Sequence, residues 1–157
     1  METKEKTLPT IKELVAMPNS TEEKLEIFKT ILNQNPLAAW VATKDGIPYL
    51  PVSKVELTLR MIYGAYRVEL LKVEQMVNSV LCTVRLHVLN PITGEWEWND
   101  GLGASPISTK AGKGAIEWAE VQATAVQKAA PSAKSYALKD AADCFGKIFG
   151  SNLGRKK

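Results

Sequence analysis

Hydrophobic and polar positions alternate from residue 66 to residue 89, and this period of two is the clearest pattern in the chain. Tyr66, Val68 and Leu70 share one phase, after which Leu71 and Val73 take the other. Such a slip predicts a β-bulge inside a strand over 66–76. Residues 79–89 predict a regular strand, with Val80, Cys82, Val84, Leu86 and Val88 on one face. Asn90-Pro91-Ile92-Thr93-Gly94 is a turn sequence that reverses the chain. The run EWEWND then alternates again, with Trp96 and Trp98 read as sheet core and Glu95, Glu97 and Asn99 on the opposite face. Three consecutive strands with short links predict an antiparallel meander.

On either side the spacing changes to threes and fours. Leu25, Ile27, Phe28, Ile31 and Leu32 predict a helix over 21–34, entered through a Ser20–Glu23 capping box and stopped by Asn33, Asn35 and Pro36. Val55, Leu59 and Ile62 predict another over 54–63, capped by Ser53 and ended by Gly64. Between them residues 36–53 read as irregular: Lys44-Asp45-Gly46 is a turn, and Pro48 and Pro51 oppose a central strand. Residues 101–114 read as a Gly/Ser/Pro loop, and Ile116, Ala119, Ala123 and Val126 mark a helix over 114–129. Pro131 and Ser132 then break the chain.

The final stretch, 135–155, carries one apolar helical stripe: Leu138, Ala141, Ala142, Phe145, Ile148 and Phe149. Lys139, Asp143 and Lys147 recur every four residues as a polar stripe. Gly146 inside such a helix costs about 1 kcal/mol relative to alanine, so its bare backbone should be needed there. Gly150 is placed to cap the helix in the left-handed conformation. The sum is an α+β domain in the order α, α, βββ, α, α, with helices on one face of a three-stranded antiparallel β-meander, a βββα core. Residues 1–19 read as an N-terminal arm, 20–155 as the domain and 156–157 as a basic tail.

A chain of 157 residues with 45% hydrophobic and 24% charged side chains has the composition of one soluble domain. No apolar run reaches the length that spans a bilayer, and the N-terminus lacks a secretory signal, so a cytoplasmic location is expected. The formal charge of +3 is unevenly placed: residues 1–100 carry 11 basic and 13 acidic side chains, residues 101–157 carry 9 and 4. A polyanion partner for the C-terminal third and a solvated charged face both account for this.

Candidate chemistry narrows quickly. Cys82, Cys144 and the single histidine, His87, match no metal-ligand spacing, so no metal is expected. A nucleophilic serine or thiol has no base other than His87. The pairs Glu95/Glu97 and Asp140/Asp143 fall where exposed charge is ordinary. The loop TKAGKGA lacks the phosphate-loop pattern, because Gly114 follows Lys113 where Ser or Thr is required. It is still glycine-rich and doubly basic, through Lys110 and Lys113, and reads equally as a phosphate grip or a plain loop. Tyr49, in a proline-flanked segment, is open to base stacking or to core packing.

Three motifs in order carry a resemblance. Asp140, Phe149, Gly150, Leu153 and Gly154 give a D…FG..LG spacing; residues 49–64 run from Tyr49 to Tyr63-Gly64; residues 94–103 hold Gly94, Trp96, Gly101 and Gly103. Together they resemble the Rad-fifty-two family of single-strand annealing recombinases, over residues 36–155, with the short length of a phage-type protein. The resemblance implies an ATP-independent protein without cofactor that assembles into a multimeric ring or arc. It would hold single-stranded DNA by its backbone in a basic groove and anneal complementary strands in recombination and repair. The implied partners are single-stranded DNA, further copies of the chain, and an exonuclease or host single-strand binding protein in a bacterial cytoplasm. Tyr49 matches the family's groove tyrosine and Lys147 a basic position of its signature helix, whereas Asp143 and Cys144 stand where eukaryotic members carry basic residues. Lys139, Lys134, Lys110 and Lys113 are then the candidate substitutes for phosphate contact, with Arg60, Arg67 and Arg85 behind them. A DNA-protecting protein that does not anneal, or a structural oligomer on the same fold, are the alternatives.

Overall fold

The computed structural model describes residues 7–108 and 124–155. In chain order these form α1 (Ile11–Ala16), α2 (Thr21–Leu32), a hairpin of β1 (Ala42–Lys44) and β2 (Ile47–Tyr49), α3 (Val52–Ile62), β3 (Tyr66–Met76), β4 (Ser79–Leu89), β5 (Trp96–Pro106) and α4 (Ala125–Asp143). The architecture is α+β: an antiparallel sheet in the order β3-β4-β5, packed against helices. The meander expected from the alternating pattern is present, and the pairing of β3 with β4 shifts between Leu70 and Lys72, where the phase slip falls. Val80, Cys82, Val84, Leu86 and Val88 are all buried on the inner face of β4.

Two expectations fail on β5. The strand runs on to Pro106 through the stretch read as a loop, and Trp96 and Trp98 are 53% and 54% exposed on the outer face. The inner face of β5 instead carries Gly101, Gly103 and Ser105, all buried. The reason is the helix above. A Cβ on Gly103 would collide with the backbone of Ala133 and Ala137, and one on Gly101 with that of Ala137 and Ala141. The helix answers with alanine at 125, 129, 133, 137 and 141, each buried, so two small-residue surfaces meet backbone to backbone. A tryptophan has no room between them.

That alanine ridge also carries α4 straight through Pro131, where a break was expected. An interior proline removes one helical hydrogen bond and costs about 3 kcal/mol in an isolated helix, so tertiary packing must hold this one continuous. The helix stops at Asp143, earlier than the apolar spacing predicts, and Gly146 lies outside it. There a Cβ would press on the Leu32 carbonyl at the end of α2. Lys147–Phe149 then form a separate 3-10 turn. The part of the expected 114–129 helix before Thr124 lies outside the described residues.

The helices differ in smaller ways from their predicted ends. Ser20 caps α2 by accepting from the Glu23 N–H at 3.3 Å, but the Glu23 carboxylate accepts from Asn19 instead of closing a box. The complete box sits upstream, between Thr10 and Glu13, and starts α1 in the leading segment, whose Leu14 is fully buried. Helix α3 begins after Pro51, without a side-chain cap from Ser53. Residues 42–49, read as irregular, form a short two-stranded ribbon whose turn residues Asp45 and Gly46 both have positive φ, as a tight hairpin requires. Tyr63, edge-on to Phe28 and to Phe145 at 5.7 Å each, ties α2, α3 and the C-terminal turn into one core.

Candidate nucleic-acid interface

The C-terminal segment after α4 folds back onto the β1–β2 hairpin, against Ile47 and Pro48, and onto Leu50, the residues on either side of Tyr49. Gly150 and Gly154 have φ of +96° and +74°, a conformation that disfavours other residues. A Cβ on Gly154 would stand 2.8 Å from Ile47 Cγ2, and one on Gly150 3.0 Å from Leu50 Cβ. Phe149, just before Gly150, is 1% exposed. Asp140, at the head of the same motif, accepts a 2.9 Å hydrogen bond from the Leu102 N–H of β5. The spacing that runs from Asp140 to Gly154 is therefore a docking device. It clamps α4 to one sheet strand and the chain end to the hairpin.

Tyr49 itself faces α4. Lys139 Nζ lies 5.0 Å from the centroid of the Tyr49 ring, within cation–π range. The two side chains line an open groove of about 380 Å³ together with Pro131, Ser132, Ser135 and Tyr136. Burial depresses the Lys139 pKa, and Asp143 one turn on opposes that shift. Asp143 is itself half-buried, and desolvation first, then Asp140, push its carboxyl up to about 6 while Lys139 and Arg155 pull it down. A second groove of about 620 Å³ lies at the chain end, lined by Lys147, Arg155, Asn152 and Asn35 among others. Neither Lys139, Lys147 nor Arg155 is ion-paired with a described residue.

The other candidates lie elsewhere. Lys134 is exposed on α4, where its charge acts on the Cys82 thiol, and it does not line the Tyr49 groove. Arg60 is exposed in the last turn of α3. Arg67 and Arg85 stand on the outer face of the sheet, over Trp96 at 5.8 Å and Trp98 at 3.9 Å. Arg85 is also held by both oxygens of Asp100, at 2.7 and 3.0 Å, which raises the guanidinium pKa and depresses the carboxyl. His87 beside them contacts Glu69 at 2.8 Å. Lys110 and Lys113 lie outside the described residues. Among the described residues no cluster of three His, Cys, Asp or Glu side chains is placed to hold a metal ion. Likewise no described helix is long and apolar enough to cross a membrane.

Lys147 does not share a helical stripe with Lys139 and Asp143, because α4 has ended before it. Arg155 and Tyr136 were missed by the sequence reading. Arg155 follows the second glycine of the docking motif, and that position is the one signal that places it at the groove.

Residues 71–157, more than half the chain, match the model of the Rad52/22 family double-strand break repair proteins. The chain belongs to the Rad52/22 family. Membership places it in DNA double-strand break repair and recombination. The matched region contains the sheet from the middle of β3 onward, α4 and the docking motif, whereas Tyr49 and the hairpin precede it. No curated protein matches the chain.

Proposed function

We propose that this Rad52/22 family chain binds single-stranded DNA without ATP and anneals complementary strands, as a homo-oligomeric ring or arc of the phage type. The observation that carries the reading is the convergence of Tyr49 and Lys139 on one open groove, 5.0 Å apart, from segments distant in sequence. An aromatic face beside an ammonium is the local chemistry of a single-strand site: the ring stacks or supports a sugar, and the cation neutralises a phosphate. Lys147 and Arg155 extend the cationic surface at the chain end. Phosphate contacts carry no sequence information and leave base edges free to test a second strand.

The activity is one of presentation and needs no bond-breaking group. Repetition of the groove around an assembly multiplies a few cations per chain into a continuous track. Fluorescence anisotropy with labelled oligo-dT tests the reading. Binding is expected at low salt, with affinity falling steeply as salt rises, at a log–log slope of about −0.7 for each phosphate contacted. Complementary oligonucleotides should then pair faster with the protein than without it. Absence of oligo-dT binding at low salt defeats the proposal, and slowed pairing replaces annealing by strand protection.

A further inference from the structure

An apolar pocket adjoins the Lys147–Arg155 groove, and phosphate binding makes no use of it. Its volume is about 200 Å³, and its walls are Trp40, Leu37, Met61 and Ile148. Asn35 and Pro36 belong to both cavities, so the pocket and the cationic groove share a wall. Leu37 and Met61 are 59% and 61% exposed, so apolar surface is left open at the mouth. Lys54 Nζ lies 5.1 Å from the centroid of the Trp40 ring, so a cation also stands against one of the pocket's wall residues. The amides of Gln34 and Asn35 stand among the lining residues.

We propose that this pocket receives one nucleobase of a single strand whose phosphates lie on Lys147 and Arg155. The inference rests on the DNA-binding reading above and assigns it a base subsite. The volume is below the roughly 300 Å³ at which pockets for drug-sized ligands begin, and suits a single planar ring system. An indole, a thioether and aliphatic carbons offer a stacking surface that accepts any base, since every base has a π-face. Side-chain amides can meet the base edge, and cations at Lys54 and Lys147 suit the phosphates on either side of a buried nucleotide. An apolar peptide segment would find the same walls, but the shared wall with a phosphate-binding groove favours a nucleotide. One base held in each protomer fixes the register of the strand and leaves the remaining bases exposed for pairing.

The test compares a dT oligomer with an abasic oligomer of equal phosphate number, by anisotropy, for the full chain and its variants. Stacking of one base predicts tighter binding of dT by roughly tenfold, with the excess lost in Trp40→Ala and largely kept in Trp40→Phe. Affinity for the abasic oligomer should be the same in all three proteins. Since Trp40 also packs against the core, Leu37→Ala/Met61→Ala, which alters only exposed side chains, gives a second measure and should narrow the same gap. An unchanged dT-to-abasic ratio in both Trp40→Ala and the double variant overturns the base subsite while leaving DNA binding intact. That result would also be the one expected of a peptide site. Failure of the parent chain to bind either oligomer defeats the DNA-binding reading itself.

Discussion

The outer face of the sheet and the groove beside α4 both combine aromatic rings with cations, yet they differ in how the cations are used. On the sheet, Arg85 is held by Asp100 and stacked on Trp98, and Glu69 lies beside His87 and near Arg67. In the groove, Lys139 rests on Tyr49 without an ion pair to a described residue, and in the second groove at the chain end Lys147 and Arg155 are likewise without an ion pair to a described residue. A phosphate approaching the sheet must compete with a bidentate carboxylate already in place. In the groove it competes with water, save at Asp143. Counting basic residues would rank the two surfaces alike. Counting unengaged ones separates them.

The harshest way to break the groove is to remove its platform. Lys139 rides on a helix that approaches β5 closely only because Gly101 and Gly103 lack side chains. Gly103→Ala drives a methyl into the backbone of Ala133 and Ala137, which cannot yield as a flexible side chain would. Overpacking of this kind costs about 3 kcal/mol. Urea melts should show that loss, with DNA affinity falling alongside. A stability change below about 0.5 kcal/mol would mean that α4 can ride higher on the sheet at little cost.

Charge reversal separates the two surfaces at constant fold. Lys139→Glu/Lys147→Glu/Arg155→Glu should lower oligo-dT affinity at low salt by roughly 100-fold and flatten its salt dependence. Arg85→Glu on the sheet should leave affinity within about twofold, because that cation is already held by Asp100. Equal losses in the two proteins would show that the sheet face also carries DNA and would erase the distinction.

How much of this could be read from residues alone follows the same division. Strands β3 and β4 were legible to their ends, bulge included, because β4 alternates at a strict period of two and β3 does so on each side of its slip. Strand β5 was misread for a physical reason. Its buried face holds Gly101, Gly103 and Ser105, so hydrophobicity marks the wrong side as core. The matching signal was alanine at every fourth position from 125 to 141, which also outweighs Pro131 as a helix breaker. Tyr49 could be singled out by resemblance. Its pairing with Lys139 joins segments 90 residues apart, and no local pattern announces a contact between a hairpin and a distant helix.

Asp143 supplies the finest test, because its carboxyl stands between Lys139 and Arg155 in its electrostatics and titrates near neutrality. Its carboxyl faces Lys139 and Arg155, with Asp140 nearby on the same helix, and desolvation carries its pKa up to about 6. Above that value it is an anion beside the path proposed for phosphates; below it the groove is more positive by one charge. Affinity for oligo-dT should therefore rise as pH falls through about 6, and bound phosphate would move the transition upward. Asp143→Asn should bind about fivefold tighter than the parent at pH 8, equally at pH 5, and with little slope between them. Stability carries the same sign. A carboxyl whose folded pKa is raised favours the folded state while protonated, an advantage complete below its ordinary value of 3.8 and lost as pH rises through about 6. The asparagine variant should then melt higher than the parent at pH 8 and lose that margin in acid. A pH profile unchanged by the substitution would place Asp143 away from the DNA and confine the grip to Lys147, Arg155 and the face of Lys139 turned toward Tyr49.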